Sequence, residues 1–222
     1  MKIMKNVFKL LGASILAISF TNLASAEDYK HAQKVKNEVE QKIDGKILVQ
    51  QFLWHKCIHC YKLDPLVDKW SETKPIFIEF ERVPVVWSDS HKNDAYFYNY
   101  AKTLRKTNKI TDKDLNLINA NLFKLTFEEE KELTAENVYP LFKDYGVASA
   151  EELDSLVKSF VASGENMKSV NLTNQYGIQG VPIFVVNGKY IVGFQTLKDV
   201  EITPENLFKA IEEVAKGELI KK

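Results

Sequence analysis

Both cysteines of this 222-residue chain lie in one stretch, Trp54-His55-Lys56-Cys57-Ile58-His59-Cys60-Tyr61. The interpretation of the rest of the chain depends on this stretch. A disulfide stabilises a fold most when it closes a long loop of the unfolded chain. A bridge between Cys57 and Cys60 would span only two residues and close almost no loop. Reversible thiol–disulfide chemistry therefore explains the pair better than stabilisation of the fold does.

Three other uses of the cysteine pair stay open at this point. Covalent haem attachment needs a histidine directly after the second cysteine, where Tyr61 stands. A structural zinc site needs four ligands, and only His55 and His59 lie near the two cysteines. The third alternative is an inert pair of thiols. We favour redox chemistry, and we expect no metal and no cofactor beyond the Cys57–Cys60 disulfide itself.

The flanking residues place Cys57 where a strand ends and a helix begins. Residues 46–53, KILVQQFL, predict a buried strand, and the residues after the motif have apolar side chains at helical spacing: Leu63, Leu66, Val67 and Trp70. A helix start favours an anion through its unpaired N–H groups and its dipole. Lys56 and His59 add positive charge. These effects lower the pKa of the Cys57 thiol, and a stabilised thiolate makes the disulfide a better oxidant.

The amino terminus has the three parts of a secretory signal peptide. Lys2, Lys5 and Lys9 are followed by a largely apolar run from residue 10 to 23 and by Ala24-Ser25-Ala26. We expect cleavage after Ala26; an uncut membrane anchor is the alternative, disfavoured because the apolar run is short for a membrane span. An exported chain meets an oxidising compartment, where a disulfide persists.

Composition excludes several classes of protein. The chain has 30 Lys and Arg against 30 Asp and Glu, with 45% hydrophobic residues. These values suit one globular domain or one domain with an insertion, and they argue against disorder, collagen and a membrane bundle. Nothing supplies the positive charge that nucleic-acid binding needs, so we expect no nucleic-acid partner.

A second segment connects the cysteine motif to a known family. This segment combines a Val-Pro step, an apolar run and an Asn-Gly hairpin signal: Gly180-Val181-Pro182-Ile183-Phe184-Val185-Val186-Asn187-Gly188-Lys189-Tyr190. Together with the strand, the cysteine motif at a helix start and Pro65, it resembles the DsbA-type periplasmic thiol:disulfide oxidoreductases of the thioredoxin-like superfamily. The resemblance implies a cis Val181–Pro182 bond packed against the cysteines, with the Val181 backbone free to pair with an extended substrate.

The resemblance implies an α/β thioredoxin-like fold with an inserted all-helical subdomain. After the signal peptide at residues 1–26, we expect the first thioredoxin-like part at 27–88, the helical insert at 89–164 and the second thioredoxin-like part at 165–222. The sequence pattern predicts further elements outside the cysteine region, namely a strand at Pro75–Val83, a crossover helix at Asn166–Tyr176, a strand at Tyr190–Gln195 and a final helix at Pro204–Lys216.

The same resemblance implies an exported enzyme that donates its Cys57–Cys60 disulfide to newly secreted proteins. The mixed disulfide would form at Cys57, with Cys60, His59 and Pro182 as further catalytic residues and Val181 contacting substrate. We expect a periplasmic monomer whose partners are unfolded or partly folded proteins with free thiols and a DsbB-like membrane protein that restores the disulfide. The alternatives are a reductase or isomerase of the same fold, and a chaperone-like peptide-binding module.

Two residues depart from the family pattern. Many DsbA proteins have proline between the cysteines, where this chain has Ile58. Relatives often place a buried glutamate six residues before the first cysteine, where Gln51 stands here and cannot ionise. Either difference is able to change the redox potential by tens of millivolts, where about 30 mV corresponds to 1.4 kcal/mol.

Two polar features outside the motif are open to interpretation. His55 either tunes Cys57 or docks a partner, or it is merely exposed. The run Glu128-Glu129-Glu130 is interpreted as a solvated helix face rather than as a partner site.

Overall fold

A five-stranded mixed sheet with helices on both faces forms the centre of the computed structural model, which describes residues 29–39, 43 and 45–221. The predicted signal peptide lies outside the described residues. The strands are β1 (Gln33–Lys34), β2 (Ile47–Leu53), β3 (Ile78–Pro84), β4 (Ile183–Val186) and β5 (Tyr190–Val192). The helices are α1 (Ile58–Thr73), α2 (Asp89–Lys106), α3 (Asp112–Phe127), α4 (Ala135–Val138), α5 (Ala150–Lys158), α6 (Phe160–Tyr176) and α7 (Pro204–Ile220).

The strand order is β1-β5-β4-β2-β3, which puts the strand before the cysteines near the middle of the sheet. β2 pairs in parallel with β3 and antiparallel with β4. All seven residues of β2 are buried, which explains why five of them are apolar; Gln50 and Gln51 are the polar exceptions. The predicted strand over residues 46–53 is confirmed to within one residue, and its carboxyl end delivers the chain to the cysteine motif.

Helices cover the sheet on both faces. On one face, α1 and α7 pack against β2 and β4 through an apolar core that includes Val49, Val67, Trp70, Phe184 and Ile211. On the other face, α6 contributes Leu172 and Tyr176 to a core with Phe52 and Val83. The helix after Cys57 is confirmed, and α7 begins as predicted, with the Thr203 side chain accepting a hydrogen bond from the Asn206 backbone.

The β4–β5 hairpin turns at Asn187-Gly188, whose φ angles of 53° and 66° are those of the tight turn that this dipeptide favours. The predicted final strand to Gln195 was too long. β5 ends at Val192, and a short 3₁₀ turn follows at Phe194–Thr196. The Thr196 hydroxyl hydrogen-bonds both the backbone N–H and the backbone carbonyl of Gly193, which closes this turn and ends the strand.

Residues 89–164 contain helices and turns but no strand in the part of the chain that the structure describes. The breaks between these helices fall near Asn108, Thr134 and Gly146. The crossover helix, however, begins at Phe160 rather than Asn166. Gly164 lies inside α6, where the helix packs against α2. Tertiary packing thus outweighs the weak helix propensity of glycine. The domain boundaries stay a prediction.

The interpretation of Glu128-Glu129-Glu130 as a helix face was wrong. α3 ends at Phe127, and the three glutamates form the exposed turn after it. Glu130 has a φ of 52°, in the left-handed region, which carries the chain out of the helical direction.

No helix within the described residues is both long enough and apolar enough to span a membrane.

Candidate active site

Cys57 is the N-cap residue of α1, and Cys60 lies in the first turn of that helix. Both are free thiols; Cys57 is half-buried and Cys60 is fully buried. The Cys57 sulfur accepts a hydrogen bond from the Cys60 backbone N–H at 3.3 Å. A cysteine sulfur therefore occupies the position where serine or aspartate usually caps a helix, and it meets the unpaired N–H groups directly.

The environment of the two sulfurs separates their pKa values. Hydrogen bonding from the Cys60 thiol is the largest effect at Cys57, and the backbone N–H groups of Cys60 and His59 and the charge of His59 act in the same direction. Partial burial raises the pKa of Cys57, but these hydrogen bonds and the charge of His59 outweigh it and lower the pKa to about 6. Burial, followed by the hydrogen bond to Cys57, raises the pKa of Cys60. The dithiol therefore ionises at Cys57 and keeps its proton on Cys60.

The Val181–Pro182 peptide bond is cis and lies against the cysteines. The Cys57 thiol contacts the Val181 carbonyl oxygen at 3.6 Å, although the two residues are 124 positions apart. Pro182 is buried and Val181 is half-buried. Of the site residues predicted from the sequence, Cys57, Cys60, Val181 and Pro182 are brought together, while His59 is exposed at the rim.

An open, mainly apolar cleft of about 480 Å³ adjoins this site. Its lining residues come from α1, the Val-Pro step and the segment after β5: His59, Lys62, Leu63, Leu66, Val181, Pro182, Phe194, Gln195 and Pro204. Leu66 is 43% exposed, and Ile58, between the cysteines, is 40% exposed. An apolar surface therefore extends from Cys57 along one side of α1.

The helical insert borders the opposite side of the cysteines. Tyr61 stacks on Phe127 with ring centroids 5.1 Å apart, and its hydroxyl donates to Glu128 at 2.6 Å. Lys56 forms a 2.6 Å ion pair with Glu132. These contacts fix the turn after α3 against both flanks of the cysteine motif.

Comparison with known proteins assigns the chain to a family. Residues 78–202, more than half of the chain, match the DSBA-like thioredoxin domain; the cysteine motif lies before this segment. The thiol:disulfide interchange protein DsbA of Pseudomonas aeruginosa is 30% identical over 179 residues, which cover 79% of this chain and 81% of that protein.

The chain belongs to the DsbA-like thioredoxin family.

Other relatives and solved structures agree with this assignment. DsbA of Burkholderia cepacia is 30% identical over 149 residues, covering 67% of this chain and 66% of that protein. The crystal structure of Pseudomonas aeruginosa DsbA superimposes with a TM-score of 0.69 at 26% identity, covering 86% of this chain and 95% of that one. The predicted α/β thioredoxin-like fold with a helical insert is confirmed, and the protein is a thiol:disulfide oxidoreductase of the DsbA type.

The structure also places a buried polar network beside the DsbA-type cysteines that the sequence did not reveal. From the sequence, His55 was expected either to tune Cys57, to dock a partner or to be merely exposed. His55 is fully buried, so the predictions of docking and of exposure are wrong. Its ring packs against Tyr98 and Phe123, with centroids 5.7 and 4.8 Å away. Burial lowers the pKa of His55 to about 4, so the imidazole is neutral near pH 7.

Asn119 of α3 connects His55 to Asp64 of α1. The His55 Nε2–H group donates to the Asn119 side-chain oxygen at 3.1 Å, and Asn119 Nδ2 donates to Asp64 Oδ1 at 2.8 Å. Arg82 of β3 donates to the same Asp64 oxygen at 3.2 Å. Only Asp64 had a sequence signal, because it follows Cys60 by four residues and thus shares a helix face with it.

Gln51, at the position where relatives often have glutamate, is buried in β2 beside Arg82 of β3. Its side-chain oxygen has no hydrogen-bond partner among the described residues. An amide neither releases nor takes a proton in the physiological range, so Gln51 supplies no ionisable group at this position of β2.

No group of three or more His, Cys, Asp and Glu side chains in the described part of the chain could hold a metal ion.

Proposed function

We propose that this protein is an exported oxidant that donates its Cys57–Cys60 disulfide to newly secreted proteins. The observation that carries the proposal is the contrast between the two sulfurs. Cys57 is accessible at the N-cap of α1, and its pKa is lowered to about 6, whereas Cys60 is buried and its pKa is raised. Such a pair has one sulfur for attack by substrate and one that holds a proton in the reduced state.

The reaction begins when a substrate thiolate attacks the Cys57 sulfur of the disulfide. The Cys57–Cys60 bond breaks, a mixed disulfide forms at Cys57, and Cys60 leaves with the electron pair and takes up a proton. A second substrate thiolate then attacks the substrate sulfur of the mixed disulfide, and Cys57 leaves as a stabilised thiolate. The substrate has lost two electrons and gained a disulfide, and the dithiol of this protein holds those electrons.

Residues around the sulfurs have distinct roles in this proposal. His59 supplies positive charge and a backbone N–H group that favour the Cys57 thiolate. Pro182 packs beside the cysteines, and Val181 presents its carbonyl next to the reacting sulfur, where an extended substrate backbone pairs with it. The cleft along Leu66 and Phe194 accepts an apolar side chain of the bound segment.

The cellular setting follows from the amino terminus and from the relatives. Residues 1–26 direct export and are removed, so the mature chain works in the periplasm, where substrates with free thiols emerge. A DsbB-like membrane protein takes the two electrons from the reduced dithiol and restores the disulfide. The oxidant needs no further cofactor.

The redox potential tests the direction of electron transfer. When the mature protein is equilibrated with glutathione buffers, the Cys57–Cys60 couple should have a potential equal to or above that of glutathione, because the thiolate stabilises the reduced form. The fraction of reduced protein is measured by thiol alkylation and mass. A potential as reducing as that of thioredoxin, about −270 mV, would favour a reductase instead.

Trapping tests the order of the two cysteines. A Cys60→Ala variant has no internal disulfide to donate, but its accessible Cys57 thiolate still attacks disulfides of cellular proteins, and one sulfur of the attacked disulfide leaves as a thiolate. The variant lacks the Cys60 sulfur that would release the bound protein by forming the internal disulfide. We expect it to accumulate mixed disulfides through Cys57 in cells, seen as reducible high-mass species on non-reducing gels. The matched Cys57→Ala variant should accumulate none, because Cys60 is buried. Equal trapping by both variants would contradict the assigned roles.

A further inference from the structure

The buried network beside Cys60 contains one side chain that comes from the helical insert and touches both flanks of the cysteine motif. Asn119 accepts from His55, two residues before Cys57, and donates to Asp64, four residues after Cys60. Asn119 and His55 are fully buried, and Asp64 is 4% exposed. An amide whose oxygen and NH₂ group are both hydrogen-bonded in a buried site holds its partners in one arrangement.

The carboxyl oxygen at the far end of the amide fixes the direction of these hydrogen bonds. Asp64 Oδ1 accepts from Arg82 and from the Asn119 NH₂ group, so the Asn119 oxygen faces His55. An amide oxygen only accepts, so the neutral His55 carries its proton on Nε2 and donates it to Asn119, and its Nδ1 has no hydrogen-bond partner among the described residues. The orientation of the amide is therefore fixed as a donor toward the carboxyl group.

A donor in this position favours the charged form of Asp64. Burial raises the pKa of Asp64, while Arg82 and the hydrogen bond from Asn119 act against that effect. The other charged or titratable groups around Asp64 are Asp68 on the same helix, which opposes its ionisation, and Tyr98 of α2. The balance between a carboxylate and a neutral carboxyl group in this place thus depends in part on Asn119.

The charge of Asp64 acts on the dithiol. Asp64 and Cys60 lie one helical turn apart on the buried face of α1, and the negative charge of Asp64 contributes to the raised pKa of Cys60. The reduced pair carries one negative charge, which lies mainly on the Cys57 sulfur. This thiolate accepts a hydrogen bond from the Cys60 thiol. A carboxylate beside this pair disfavours that negative charge, and a less stable thiolate means a less oxidising disulfide.

We propose that Asn119 is a positioning residue by which the helical insert holds the Asp64 carboxylate beside Cys60 and so limits the oxidising strength of the Cys57–Cys60 pair. The inference rests on the proposed function. Gln51 is buried and carries no charge, whereas the charge of Asp64 raises the pKa of Cys60.

The test compares Asn119→Leu with Asn99→Leu as a matched control. Asn99 is also a fully buried asparagine of the helical insert, and it exchanges two side-chain hydrogen bonds with Ser169, at 3.1 and 3.2 Å. Both variants lose two buried hydrogen bonds, so a merely structural role would affect both alike. The readouts are the equilibrium constant for reduction by glutathione and the pKa of Cys57 from thiolate absorbance.

We expect Asn119→Leu to raise that equilibrium constant about three- to tenfold, with tenfold equal to about 30 mV, and to lower the pKa of Cys57. Asn99→Leu should change neither. Asp64→Asn should give a shift in the same direction and at least as large, because it removes the charge itself. In the Asp64→Asn background, Asn119→Leu should add nothing, since its effect acts through Asp64.

Three results would overturn the proposal: an unchanged equilibrium constant in Asn119→Leu, an equal shift in Asn99→Leu, or an Asn119→Leu shift that persists when Asp64 is already Asn. If Asn119→Leu does not fold, the redox potentials of Asp64→Asn and of the smaller substitution Asn119→Ser replace it in the test. An unchanged potential in either variant contradicts the proposal. The potential of the unmodified protein tests the proposed function separately, because the inference concerns only differences between variants.

Discussion

A Cys57→Ser variant should lose catalysed disulfide donation altogether, falling to the uncatalysed rate, a loss of about two orders of magnitude or more. A serine hydroxyl cannot form the mixed disulfide. The remaining thiol, Cys60, is fully buried, and its pKa is raised, so it offers neither access nor thiolate. The measurement is the rate at which a reduced, unfolded protein regains its disulfides when mixed with the oxidised enzyme.

This substitution also separates catalysis from simple binding. Serine is nearly isosteric with cysteine and is a good N-cap residue, so α1 should keep its start and the fold its helical circular dichroism signal. The cleft beside Leu66 is unchanged in such a variant. If Cys57→Ser still restores disulfide-dependent function in cells, a chaperone-like binding module is the better description, and the proposed oxidant is wrong.

The central strand, the cysteine helix and the hairpin were predictable because local sequence determines them. β2 is buried along its whole length and five of its seven residues are apolar, α1 has apolar side chains at helical spacing, and Asn187-Gly188 favours one kind of turn. These signals lie within a few residues of the element they describe. The start of α6 at Phe160 depends on packing against a distant helix, and the end of β5 at Val192 depends on a side-chain hydrogen bond. The predictions of these two boundaries were therefore wrong.

The same distinction holds within the site. Cys57 and Cys60 are separated by only two residues, and the packing of the Val181–Pro182 step against them was predicted from the family resemblance. His55, Asn119 and Arg82 are separated by 64 and 37 residues along the chain, and no motif connects them. Their network depends on α3 packing against α1, which no local pattern specifies. A lone histidine before a cysteine motif gives no indication that its ring is fully buried.

The stability of the reduced protein relative to the oxidised protein should depend on pH. In the reduced folded protein the pKa of Cys57 is about 6, whereas an unfolded thiol has a pKa of about 8.5. A group whose pKa is lowered by folding contributes stability that is complete above the unfolded pKa and is lost as the pH falls through the folded pKa. Cys60, whose pKa is raised, has the opposite effect, but only above about pH 8.5. The advantage of the reduced form should therefore be greatest near pH 8 and small at pH 5.

The expected size is modest because the Cys57 sulfur is half-exposed. After allowance for solvent screening, the change between pH 5 and pH 8 is about 1–2 kcal/mol. For a chain of this size, that corresponds to a change of about 2–8 °C in the difference between the two melting temperatures. The measurement is thermal unfolding of both redox forms at several pH values, with the oxidised protein reporting the titration of groups other than the two thiols.

Subtracting the oxidised form removes a second effect as well. The disulfide also constrains the unfolded chain, but the entropy of closing a loop does not depend on pH. Any pH dependence in the difference between the redox forms therefore comes from the thiols and from groups whose ionisation is coupled to them. A difference that stays constant from pH 5 to pH 8 would mean that Cys57 ionises no more readily in the folded chain than in the unfolded one. The structural reason for its reactivity would then be lost, even though the fold and the family assignment would stand.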